Sequence, residues 1–266
     1  MRDLGLIIAY RNAARAVDLQ QTVWKQTGLQ IEVVDNTDQN QNIHKLWNQS
    51  YRAAERYFLI LNPDTKPERG WLDELMRVMS VHPRMAAVGP STDHCYNEQS
   101  GRQPHVMAIA RGSFVPQVLI PGFCALYYVP ALREIGGWRE DFKFYGGDLD
   151  LVLRLHLAGW LSAWAVSSFV WHEWGGSARA LGDAAYAELR ETGNRELQEA
   201  VRSYQDRPGL WVAQPGGGAQ WRNFDGQAVV QVQGEEDATR GSSEREAPQQ
   251  EAAGTLWVDR VGEATP

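Results

Sequence analysis

Four runs of strand length, at residues 4–9, 31–34, 57–61 and 86–89, apolar except for Glu32, are each separated by a stretch that reads as a helix. Runs that are apolar throughout, not alternating, are the pattern of strands covered on both faces. Between them, residues 13–27 are polar and stop at Gly28, a C-terminal helix signal. Ile43, Leu46, Trp47, Ser50, Tyr51 and Ala54 fall on one helical face, and Trp71, Leu72, Leu75, Val78 and Met79 form a second stripe. Strand–helix alternation implies parallel pairing with right-handed crossovers. Sheets built in this way bind ligands at the carboxyl ends of their strands. Those ends carry Ala9-Tyr10-Arg11-Asn12, Asp35-Asn36 and Asn62-Pro63-Asp64, so each loop holds a side chain able to bind something.

Beyond residue 92 the pattern loosens into a loop with a possible strand near 105–110, and then resumes. Residues 122–129 read as a strand, and Pro130 suits the start of a short helix ending at Gly136-Gly137. Residues 148–157 read as a helix with two acids in its first turn, 162–170 as a strand, and 184–204 as an exposed helix. The segment 211–232 fits a small β appendage. Residues 235–254 carry six acids and two arginines, a net of −4, which predicts disorder. Across 266 residues the net charge is −7, which argues against broad nucleic-acid binding but leaves a local basic patch possible. No apolar run approaches the ~18 residues of a membrane span, and no secretory signal is evident, so the expectation is a cytoplasmic protein. Two cysteines, Cys95 and Cys124, make neither a disulfide framework nor a zinc spacing.

Several residues can carry chemistry, and each has a plainer reading. Asp64, after Asn62 and Pro63 at a strand end, can bind a divalent cation, an arrangement in which one or two carboxylates share the ion with substrate phosphates. The same Asn-Pro-Asp-Thr also makes a turn and a helix cap. Asp148 and Asp150, two residues apart, project about 200° from each other on a helix. The helix N-terminus favours both as anions, which suits a general base and suits capping equally. His172 follows a buried strand, but His-Glu-Trp-Gly-Gly lacks the second histidine of a zinc protease. Trp138, Trp160, Trp164, Trp171 and Trp174 offer faces for sugar stacking, although large aromatics more often build core. No P-loop, dinucleotide fingerprint or nucleophile elbow is present.

In order and spacing, three stretches resemble the family-two glycosyltransferases with the GT-A fold, especially their rhamnosyltransferase-like branch. They are residues 6–12; residues 57–65 with Gly70-Trp71-Leu72 and Val88-Gly89-Pro90; and residues 122–159 with His172 before Gly175-Gly176-Ser177. The resemblance covers roughly residues 4–180 and implies a Rossmann-like, mostly parallel central sheet flanked by helices, an α/β fold. The corresponding division is a GT-A domain at 1–180, a C-terminal helix at 181–206, a β appendage at 207–234 and an acidic tail at 235–266.

The resemblance also implies roles. Tyr10 and Asp35 would line the nucleotide base, with Ala9, Asn12 and Asn48 nearby. Asn62 and Asp64 stand at the family's metal-binding Asp-x-Asp, and His172 at a further metal or diphosphate ligand. Asp148 stands at the catalytic base, with Asp150 as the alternative. Gly147 replaces the glutamate that usually precedes the base, which would widen the acceptor side. The implied activity is inverting transfer from a UDP-, TDP- or GDP-sugar to a glycan, protein or modified nucleic-acid hydroxyl, assisted by Mn2+ or Mg2+. The alternative is a GT-A-like module that binds a sugar nucleotide or glycan without transferring it. A nucleotidyltransferase would want a glycine-rich basic loop after the first strand, and none is there.

Overall fold

The computed structural model describes residues 4–9, 13–36, 41–94, 114–116, 120–173, 182–204, 210–213, 218–222 and 228–233. The first half follows the alternation in the sequence: β1 (Leu4–Ala9), α1 (Ala13–Thr27), β2 (Ile31–Asp35), α2 (Ile43–Tyr51), β3 (Tyr57–Leu61), β4 (Thr65–Pro67), α3 (Trp71–Val81) and β5 (Met85–Ser91). After β6 (Phe114–Pro116) come β7 (Cys124–Tyr128), α4 (Val129–Ile135), α5 (Gly147–Leu157), β8 (Leu161–His172) and α6 (Asp183–Tyr204). Three further strands, β9 (Leu210–Ala213), β10 (Gly218–Arg222) and β11 (Ala228–Gln233), pair as an antiparallel sheet of their own. The acidic tail at 235–266, the possible strand at 105–110, Cys95 and Trp174 lie outside the described residues.

The main sheet runs β2-β1-β3-β7-β5-β8-β4, with β6 also on β8. Pairing is parallel at β1–β2, β1–β3 and β5–β8, as the alternation implies. It is antiparallel where β7 lies between β3 and β5. β7 can occupy mid-sheet because both its faces are apolar. Cys124 and Leu126 join the cluster under α1 and α3, while Ala125 and Tyr127 join the cluster under α2, α4 and α5. Sheet and helices thus form three layers around two cores. On the α3 side Trp71, Leu75 and Val78 are almost fully buried, and truncating a leucine so placed costs about 2–5 kcal/mol.

The reversed strand has a consequence for the site. Because β7 runs against β3, its beginning meets β3's end: Leu61 faces Cys124, and the Asn62 N–H donates to the Phe123 carbonyl at 2.7 Å. Gly122 and Phe123 are thereby brought to the carboxyl ends of the parallel strands. α4 ends at Gly136, whose left-handed φ of 81° turns the chain sharply, with the Gly137 N–H bonded to the Leu132 carbonyl.

The helix at 183–204 is not the exposed rod its composition suggests. Leu197 and Ala200 bury against Phe142, with Leu149 and Leu153 beside them, and Glu196 accepts the Lys143 N–H at 3.0 Å. One face of α6 is therefore docked on the segment that leads into α5. Among the described residues no helix is long and apolar enough to cross a membrane.

Candidate active site

The site is assembled from strand ends. Ala9 and Asp35 are register partners at the ends of β1 and β2, with Asp35 exposed; Tyr10 and Asn12 lie outside the described residues. Asn36 closes the following loop, donating to and accepting from the Gln41 backbone at 2.9 and 2.8 Å.

After β3 the chain turns at Asn62, whose carbonyl accepts the Thr65 hydroxyl at 2.6 Å. It then runs back as β4, which pairs antiparallel with the end of β8, so that Thr65 faces His172. The Asp64 carbonyl accepts the Glu173 N–H at 2.9 Å. This pairing places Asp64 Oδ1 3.8 Å from His172 Nε2, with both side chains buried. The imidazole lies flat on Phe123, centroids 4.4 Å apart and planes 11° from parallel. His172 Nδ1 is 3.0 Å from the His94 carbonyl, so the network assigns the proton to Nδ1 and leaves the Nε2 lone pair facing Asp64.

Burial lowers the His172 pKa below the ordinary imidazole value, outweighing the opposing pull of Asp64, the His94 carbonyl and Asp93. The ring is thus held neutral, the form that binds metals. Asp93, just beyond β5, accepts the His172 N–H and the His94 ring at 2.9 Å each. Burial pushes its carboxyl up, but those hydrogen bonds prevail and hold it below the usual range.

These groups line a cleft of about 500 Å³. Arg15 and Lys66 bring positive charge to it, and Arg15 is also paired with Glu173; His94 and Trp171 complete the wall. Sequence reasoning missed Asp93, His94, Arg15 and Lys66. For Asp93 a signal existed, since it sits at the carboxyl end of an apolar strand, where ligands bind. Among the described residues no three His, Cys, Asp or Glu side chains cluster as a ready metal cage. The Asp64–His172 pair does fit a shared cation. Two ligands at ~2.1 Å from one ion stand between about 3.0 Å apart at a right angle and about 4.2 Å apart when opposite. Their 3.8 Å separation lies within that range. Mg2+ is usually held by one or two carboxylates, here Asp64, with the rest of its ligands from substrate phosphates and water.

The second half of the site is the start of α5. Asp148 Oδ2 accepts the Gly122 N–H at 2.7 Å, and its Oδ1 accepts the Leu149 N–H at 3.0 Å. Asp150, on the other side of the helix, is fully buried. It bonds Arg154 Nε at 2.7 Å, with Arg139 3.9 Å away, and Arg154 continues to the Ile135 and Gly137 carbonyls at 3.0 and 2.7 Å. The angular separation seen in sequence thus gives the two acids different surroundings: Asp148 is part-exposed beside Gly122, and Asp150 serves the interior. Tyr145 lies within electrostatic reach of both halves. Its hydroxyl pKa is raised first by burial and then by Tyr186, against Arg190, with the charges of Asp64 and Asp148 adding to the rise.

Two expectations change. Asn48 does not face a nucleotide: it is buried on α2, where its amide donates to the Trp138 carbonyl and Glu140 and its oxygen accepts the Trp138 N–H. Gly147 does not widen the acceptor side. A Cβ there would come 2.7 Å from two ring carbons of His44 and nearer still to Nε2, because that imidazole already fills the space. Of the tryptophans, Trp138, Trp160 and Trp164 are core, and Trp171 reaches the cleft.

No family model matches the chain. Among curated proteins it is similar to the N-acetylglucosaminyl-diphospho-decaprenol L-rhamnosyltransferases of two Mycobacterium tuberculosis strains, CDC 1551/Oshkosh and H37Rv. Each is 27% identical over 145 residues, covering 45% of this chain and 47% of the relative. The chain therefore spans about half the length of the curated relatives it matches. Among solved structures it superposes on the mannosyltransferase PcManGT from Pyrobaculum calidifontis, in complex with GDP-Man and Mn2+. That match has a TM-score of 0.50 and 14% identity, and covers 76% of this chain and 73% of that one. The sheet order and these similarities lead to one conclusion: the chain has the GT-A fold of glycosyltransferases and is similar in sequence to rhamnosyltransferases.

Proposed function

We infer that the chain is an inverting glycosyltransferase, moving a hexosyl or deoxyhexosyl group from a nucleoside-diphosphate sugar to an acceptor hydroxyl. The observation that carries this reading is the meeting of Asp64 and His172 in one cleft, with Tyr145 within electrostatic reach of both Asp64 and Asp148. Asp64 Oδ1 and His172 Nε2 would hold a divalent cation, which when bound neutralises charge on the departing diphosphate. Arg15 and Lys66 in the same cleft add to that field. Ala9 and Asp35, partners at the ends of β1 and β2, would line the nucleotide base, a role the resemblance also gives to Tyr10, Asn12 and Asn62. Asp148 takes the proton of the acceptor hydroxyl as that oxygen bonds to the anomeric carbon and the carbon–oxygen bond to the diphosphate breaks. The electron pair of the broken bond leaves with the nucleoside diphosphate, so no covalent nucleophile is needed.

For the acceptor, the name of the curated relatives points to a sugar carried on a diphospho-lipid. Tyr145 and Tyr186, centroids 6.4 Å apart and nearly perpendicular, offer faces to a sugar ring. Arg190, 5.7 Å over the Tyr186 ring, offers a cation to phosphate. Calorimetric titration with UDP, TDP and GDP, each with Mn2+ and with chelator, tests the donor half. Binding of one nucleotide that weakens at least tenfold in chelator, and on Asp64→Asn, is expected. Equal affinity with and without the ion would contradict the cation's role. Binding of a donor with no turnover on any acceptor would point to a binding module instead.

A further inference from the structure

We propose that His44 and Trp47, one turn apart on α2, set the position of Asp148, His44 doing so from the space beside Gly147. The proposal deepens the reading of Asp148 as the general base and rests on it. His44 Nδ1 lies 3.2 Å from the Phe142 carbonyl, and its ring meets Phe142 and Trp47 edge-on at 6.2 and 5.4 Å. Its opposite edge fills the room beside Gly147, the residue before Asp148. Trp47 reaches the other flank, where its Cη2 stands 3.3 Å from the Cβ position of Gly122, the residue whose N–H holds the Asp148 carboxylate. α2 therefore touches both the backbone that carries Asp148 and the backbone that anchors its side chain.

The N-terminus of α2 is tied to the same loop. Asn42 caps the helix, accepting the His44 N–H at 2.8 Å, and donates to the Glu140 and Phe142 carbonyls at 3.1 and 2.7 Å. His44 is also held neutral: burial draws its pKa down to about 4 despite the Phe142 carbonyl and the charges of Asp150, Asp141 and Glu140. A neutral ring at this position packs the base in place without setting a second charge beside it. His44 is thus a positioning residue, acting through Gly147 and, with Trp47, through Gly122.

The test has an arm that needs no activity. The Gly122 amide is protected by Asp148, so its hydrogen exchange reports where that carboxylate sits. In His44→Ala its exchange is expected to speed by about tenfold or more while amides inside α3 hold their rates. His44→Gln, which keeps a donor for the Phe142 carbonyl, is expected to retain protection. Melting temperatures test the contact itself: Gly147→Ala is expected to destabilise, and the double variant Gly147→Ala/His44→Ala to recover part of the loss. In turnover, His44→Ala is expected to lower kcat about 10- to 100-fold, since small misplacements of catalytic groups are costly, with donor KM within about twofold. Unchanged Gly122 exchange in His44→Ala, or a double variant no more stable than Gly147→Ala, overturns the proposal. If exchange and melting behave as expected but the wild type transfers from no donor, the positioning stands and the transferase reading fails alone.

Discussion

Replacing Asp150 should unfold the domain sooner without touching the chemistry, and the structure gives the size of the effect. Its carboxylate is fully buried and is the anionic partner of Arg154, itself only 15% exposed. Arg154 also links the Ile135 and Gly137 carbonyls, so one guanidinium ties α5 to the end of α4. Asp150→Ala leaves that cation buried with carbonyl partners alone. Removing one member of a buried pair costs about 3–5 kcal/mol. For a domain of this size each kcal/mol moves Tm by about 2–4 °C, so a drop of roughly 6–20 °C is expected in thermal unfolding followed by circular dichroism. Adding Arg154→Met should restore much of it, because the stranded charge is then gone. An Asp150→Ala protein that melts within about 2 °C of wild type but has lost turnover would refute this reasoning and move the chemical role to Asp150.

Acid should weaken the fold through two histidines. Burial pulls His44 and His156 down to about 4 and about 3. Unfolded, both titrate near 6.5, so at intermediate pH the unfolded chain binds up to two more protons; stability is full above that value and falls below it, by up to about 2.7 kcal/mol per unit near pH 5. A urea midpoint unchanged between pH 7 and pH 5 would contradict this. Gly193→Ala places a Cβ 2.5 Å from that of Tyr145 and 2.9 Å from its carbonyl oxygen, neither of which can swing away. Overpacking of that kind costs about 1–3 kcal/mol and should raise acceptor KM by displacing Tyr145; unchanged melting and KM would show that α6 is not seated on this loop.

What could be read from the sequence was whatever is encoded locally. The apolar run 57–61 is β3 to the residue, the stripe from Trp71 to Met79 is α3, and Gly136 closes α4, because periodicity and caps depend on near neighbours. The reversal of β7 was not legible, since a two-faced apolar strand looks alike in either direction. That reversal brings Gly122 to Asp148 and Phe123 under His172. Asp64 and Asp148 were legible as acids at element ends with ligand-binding potential, and the 200° between Asp148 and Asp150 anticipated their different environments. The occupant of the space at Gly147 was not, because His44 lies about a hundred residues earlier in the chain and only the tertiary fold joins them. Asn48 failed for the same reason: its amide bonds Trp138 and Glu140, distant partners that no local pattern announces.

The most direct measurement is release of nucleoside diphosphate from UDP-, TDP- and GDP-sugars in the presence of Mn2+, comparing wild type with Asp148→Asn. Asparagine keeps the shape and, through its one oxygen, the Gly122 hydrogen bond, gives up the bond from the Leu149 N–H, and has no basic oxygen. With one donor and its acceptor, turnover should fall about 10²- to 10⁴-fold, or about 3–5 kcal/mol of barrier, while donor affinity stays unchanged. Full turnover by Asp148→Asn would contradict the account.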